Sequence, residues 1–251
     1  MSKFPDKIYE DAEFGSVFVF FSARMSYGRV SFSASKDGLI AKSHASMSLS
    51  SIVDAIESLR PKLRVLIKRN KIKEERRVPL EIGSTIAAYP YSIKLMKGVE
   101  KDVFRARHNK ESNCFEIFCP ENMDFEDAGL MNTFRKLVVK VLRASSKSYI
   151  PMRVKELAEK CGFQYKSIGF TDAVGRWGSC SSRGSLNFSI WTLLLGKDLI
   201  DSVIIHELCH TVEMNHSARF WELFEKNFGK SRRSVDDEIR KIVLPSFVQM
   251  K

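Results

Sequence analysis

The sequence has no long apolar run. Its longest near the start is VFVFF, Val17 to Phe21, far short of the ~20 residues a membrane span requires, and it has no signal-peptide layout. No membrane association is expected, and the expected location is cytoplasmic. Cysteine is sparse and unpaired in pattern: five residues, scattered, with no Cys-x-x-Cys, which argues against a disulfide framework and against a zinc ribbon. Cys114 and Cys119 stand five apart in a strand-like segment, so they read as packing residues on opposite faces. No internal repeat and no low-complexity tract is visible. Histidine is also scarce, yet three of the five lie between positions 206 and 216.

What is present is basic charge. Lys and Arg number 41 against 30 Asp and Glu, a net charge of +11, concentrated at Arg60–Arg77 and in KSRR, Lys230–Arg233. Such a footprint attracts nucleic acid or polyanionic nucleotides, but no aromatic interleaving or nucleic-acid motif accompanies it. A solvated basic face is the favoured reading, with weak nucleic-acid binding through these patches the lesser one.

The periodicity predicts an α+β protein in two regions. Residues 1–120 read as an antiparallel β-sheet with a helix. A hairpin is signalled by Lys36–Gly38 between Ser31–Ser35 and Leu39–Ser43, and Ile52, Val53, Ile56 and Leu59 mark one helical face, with Pro61 starting a new turn or a kink. Residues 121–251 turn helical: Leu130, Phe134, Leu137, Val138 and Val141 form one helix, and a second starts at Pro151 and stops at Gly162. A β-hairpin follows, with Gly178–Ser185 as its loop, and then a helix capped by Asp198.

That last helix contains HELCH, residues 206–210. Four residues return an α-helix to within about 40° of its starting direction, so His206 and His210 share a face and suit one metal ion. Glu207, about 100° round, lies beside that face, where a carboxylate can take a proton from metal-bound water. A zinc site with one open position needs a third protein ligand. His216 follows Asn215, whose left-handed conformation would end the helix and turn the chain back. The prediction is one zinc ion on His206, His210 and His216, with Glu207 as catalytic base.

The phrases RWGSCSSRG, LNF, HELCH and NHSARFW, in that order between Arg176 and Trp221, resemble the YgjP-like metallopeptidase family, relatives of the SprT-like and WLM zinc metallopeptidases. The resemblance implies a zincin-like core of helices and a β-hairpin, the same three histidines as ligands, Glu207 as base and a peptide substrate. It also implies that the strand before the active helix borders the substrate cleft. Arg176, Trp177, Ser179 and Cys180 thereby become candidates for substrate contact or for polarising the bond; a purely structural hairpin is the equal alternative. Metzincins share the histidine spacing but have glycine where Glu213 stands. A glutamate ligand would have to be Glu222 or Glu225, and Ser217, as the cap of the next helix, favours His216 instead. Cys209, three residues after His206, and the stripe Phe220, Trp221 and Phe224 read as core. His44 and His108 have no visible role.

Two further functions fit the sequence. The same ion could serve a phosphohydrolase of the nucleoside triphosphate pyrophosphatase type, which the basic charge would favour. A nucleic-acid-associated module with structural zinc is the third.

Overall fold

The computed structural model describes residues 4–35, 37–75 and 79–249. The fold class is α+β. The chain forms two compact units, Met1–Arg77 and Val78–Lys251.

In the first unit, β1 (Lys7–Asp11), β2 (Gly15–Phe21), β3 (Val30–Ser35) and β4 (Gly38–Ser43) form a sheet in the order β1-β2-β4-β3. Its outer pairings are antiparallel and its central pair, β2 with β4, is parallel. The predicted hairpin is thus β3 and β4. Strand alternation turns Val17, Val19, Leu39 and Ala41 to one face, where they share a core with Ile52, Ile56 and Leu63 of α1 (Leu49–Glu75). The basic stretch is partly neutralised there: Arg60 bonds both carboxylate oxygens of Asp11 at 3.1 and 3.0 Å, and Arg64 pairs with Glu13. Arg76 and Arg77 lie outside the described residues.

The second unit opens on β5 (Thr85–Ala87), β6 (Ser92–Lys97), β7 (Arg105–Asn109) and β8 (Cys114–Cys119), in the order β5-β6-β8-β7. The strand senses are those of the first sheet, including the parallel central pair β6 and β8. A long helix again follows, α2 (Ala128–Cys161). The four-strands-and-helix pattern therefore occurs twice, where the sequence shows no repeat. Side-chain identity hides it. The solvent-side row across the first sheet is Ile8, Phe18, Ile40 and Ser33, whereas the corresponding row of the second is Thr85, Lys94, Glu116 and Arg107.

This arrangement moves the expected boundary. The division falls between residues 77 and 78, not near 120, because Ile93, Leu95, Ile117 and Cys119 bury into one cluster with Phe134, Val138 and Leu142 of α2. Neither proline ends a helix: Pro61 lies inside α1 and Pro151 inside α2. In α2, Leu142 and Ile150 before the proline and Val154 and Leu157 after it are buried in the same core. That burial outweighs the ~3 kcal/mol a mid-helix proline costs. Asp127 caps the start of α2 through Leu130 N–H, and Gly162, in the left-handed conformation, ends it as predicted.

Beyond α2 comes a small sheet of β9 (Ser167–Thr171), β10 (Gly178–Cys180) and β11 (Ser185–Ser189). Here β11 pairs antiparallel with β10 and parallel with β9; a hairpin is present, but Gly178–Cys180 and Ser185, expected in its loop, are strand residues, and the turn is confined to residues 181–184. A buried 3-10 helix, Ile190–Leu195, leads into α3 (Lys197–Cys209), followed by α4 (Ala218–Phe228) and α5 (Arg232–Lys241). Asp198 does not cap α3. Gly196 holds that place, and Asp198 sits in the first turn, where its charge meets the helix dipole. No helix among the described residues is long and apolar enough to cross a membrane.

Phe134 is fully buried, with the Phe247 ring 5.2 Å away. Phe134→Ala is expected to lower stability by about 3–5 kcal/mol in urea denaturation; a loss below about 1 kcal/mol would contradict this placement of the core.

Candidate metal centre

The apolar residues Leu199, Ile200, Val203 and Ile204 bury α3 against the core, which fixes the rotation of the helix and so the direction of its histidines. His206 is partly buried, His210 is buried at the C-cap, and the exposed His216 follows in the loop. One nitrogen from each lies within 4.8 Å of the others. The Nε2 atoms of His206 and His216 are 3.0 Å apart. Two nitrogens each ~2.0–2.1 Å from one tetrahedral ion would sit roughly 3.3 Å apart, so this pair has the spacing of two ligands on a single metal, and the three histidines together could hold one.

The turn that brings His216 back is not a left-handed Asn215. Among the described residues only Asp102 and Asn113 have positive φ outside glycine. Instead the Ser217 N–H donates to the Asn215 carbonyl at 2.7 Å, making His216 the centre of a tight three-residue turn. Ser217 then caps α4 through Phe220 N–H.

Protonation suits metal binding. Burial, helped by His210 and His216, pushes the pKa of His206 down to about 3, and burial likewise lowers that of His216. Neutral imidazoles are the ligand form. His210 has its other nitrogen committed: Nδ1 lies 3.1 Å from the Glu213 carbonyl, where an N–H donates and Nε2 is left as the ligand atom. Phe220 is fully buried with its ring 4.5–4.9 Å from all three imidazoles, and Trp221 stacks on His216 at 5.4 Å. The stripe read as core is therefore also the packing behind the ligands.

Glu207 is 5% exposed, and its Oε2 makes no hydrogen bond among the described residues. Burial raises its pKa to about 7, against a smaller lowering by Arg176. A carboxylate so placed is matched to proton transfer near neutral pH. Gly178 of β10 makes room for it: a Cβ there would lie 2.7 Å from both Cγ and Oε1 of Glu207.

A cavity of about 280 Å³ opens on this centre. Arg176, Trp177 and Gly178 line it from the hairpin side, and His206 and Glu207 from α3. Ser179 and Cys180 do not line it; the Cys180 thiol donates to the Ser181 carbonyl and is raised in pKa by burial. Trp177 also packs against the main core, and its carbonyl accepts from Ser189 and Thr192, so both readings of the hairpin hold for that residue. Cys209 is fully buried, and burial pushes its thiol up to about 12.

The model of the family described as YgjP-like, metallopeptidase domain matches residues 31–236. The chain belongs to the YgjP-like family. Among solved structures it is similar to the metallopeptidase zymogen of Pyrococcus abyssi abylysin, at 22% identity over 36% of this chain and 90% of that one, with a TM-score of 0.33. No curated protein matches.

Within this YgjP-like domain, sequence reasoning missed Gly178 and Arg232. The latter, read as part of a surface patch, stands 4.0 Å over the Trp221 ring and lines the cavity. The signal was the i, i+3, i+4, i+7 spacing of Arg232, Val235, Asp236 and Ile239, which marks one helical face.

Gly178→Ala is expected to cost about 1–3 kcal/mol by forcing the carboxylate aside. In a double-mutant cycle with Glu207→Ala most of that cost should vanish; an undiminished cost would show that the clash is elsewhere.

Proposed function

We propose that the protein is a zinc-dependent hydrolase that cuts peptide bonds. The observation that carries this reading is the convergence of three imidazole nitrogens within 4.8 Å beside a buried carboxylate with one oxygen that makes no hydrogen bond. When bound, zinc supplies Lewis acidity, lowering the pKa of water towards 7 and stabilising negative charge on the attacked carbonyl oxygen. His206, His210 and His216 hold the ion. His210 is kept in the correct tautomer by the Glu213 carbonyl. Glu207 takes the proton of the attacking water at its free Oε2 and returns it to the leaving amine. Arg176, exposed at the cavity, with its charge felt at Glu207 and no salt bridge to a carboxylate among the described residues, is the group we assign to hold a substrate carbonyl oxygen. Ser179 and Cys180 take no part in this scheme.

A phosphohydrolase acting on nucleotides would use the same ion and base. Against it stands the cavity, whose polar groups include two arginines but also Asp236, which pairs with Arg232 at 3.4 Å. The basic stretches support at most weak, salt-sensitive nucleic-acid binding. A module with structural zinc has no use for a buried base beside the ligands.

Glu207→Gln is expected to retain one zinc per chain while peptide hydrolysis falls by about 100-fold or more. Retained turnover would remove Glu207 from the chemistry. Release of pyrophosphate or phosphate from nucleoside triphosphates, with no cleavage of unfolded protein, would favour the phosphohydrolase.

A further inference from the structure

Of the three histidines only His206 lines the cavity, which therefore lies to one side of the ligand set, next to Glu207. Apart from Arg176, Ser202 and two polar residues of α5, its remaining walls are apolar in a way the chemistry of the base does not require. Val203 comes from α3, Trp221 and Phe224 from α4, and Val235 and Ile239 from α5. The same face of α5 contributes Arg232 and Asp236, a solvent-exposed pair: Arg232 Nε lies 3.4 Å from Asp236 Oδ2 while its guanidinium covers the Trp221 ring at 4.0 Å. The exposed cation thus packs on the ring that stacks on His216.

Size points the same way. At about 280 Å³ the cavity lies at the small end of the ~300–1,000 Å³ range of ligand pockets. It is enough for one side chain. Ile239 is partly buried and lines the cavity, while Val235 is 5% exposed and holds the helix to the core.

We infer that this cavity is a subsite for one large apolar side chain, aromatic or branched, of a residue flanking the bond under attack, and that Ile239 of α5 sets its depth. The inference deepens the peptidase reading and rests on it for the nature of the substrate. It makes α5 a determinant of which bond is cut.

The test is binding first and cleavage second. Zinc-loaded protein is titrated calorimetrically with acetohydroxamate and with 3-phenylpropanohydroxamate, which share a metal-binding head and differ in the apolar group. The aryl compound is expected to bind at least about tenfold more tightly, from burial of the ring. Ile239→Trp should cut that advantage to below about threefold by filling the space, and Ile239→Ala should keep or extend it for a larger naphthyl analogue. Zinc content and thermal melting of both variants confirm that they are folded. Equal binding of the two compounds by the wild type, or an advantage untouched by Ile239→Trp, would overturn the subsite. A peptide library then separates the two readings. Cuts with no preference at either flanking residue would remove the subsite and leave the peptidase. An aryl preference in binding with no peptide cut at all would leave an apolar-ligand subsite and remove the peptide substrate.

Discussion

Taking an ionised carboxylate out of water costs several kcal/mol even after the surroundings relax, and Glu207 is held 5% exposed with one oxygen making no hydrogen bond. Much of the local structure follows from keeping it there. Only a residue without Cβ fits beside it in the hairpin, which fixes Gly178. Desolvation raises its pKa, and the same dry surroundings lower that of His206. The cost is carried by the apolar face of α3, whose burial against the second unit's core gives the helix no freedom to turn the carboxylate outward.

The core of that site was legible in the sequence because it is local. His206, Glu207 and His210 are ordered by helix geometry alone, and His216 is close enough in the chain for a single turn to return it. The turn itself was read differently, since Asn215 offered a left-handed stop and the chain used a hydrogen bond from Ser217 instead. What lay further off was illegible. Gly178 and Arg232 reach the site only through tertiary packing, and Arg232 looked like one more surface charge. The prolines misled for the converse reason: local propensity ends a helix at Pro151, while the long-range burial of Ile150 and Val154 continues it.

The repeated four-strand-and-helix pattern shows the same division of information. Its inward positions stay apolar in both copies, with Val19 beside Ala41 in one and Leu95 beside Ile117 in the other. Outward positions answer to different surroundings, so Phe18 beside Ile40 corresponds to Lys94 beside Glu116. Strand order and sense are specified by the inward pattern and the turns, which many sequences satisfy. The second copy closes the core on which α3 rests, and this places the unit boundary at 77 and gives residues 85–119 a part in positioning the metal centre.

X-ray absorption at the zinc edge of the metal-loaded protein tests the account most directly. Three histidine nitrogens and one oxygen, all at about 2.0–2.2 Å, are predicted, with no sulfur. A sulfur scatterer near about 2.3 Å, which would bring Cys180 or Cys209 onto the metal, or a histidine count below three, would contradict it.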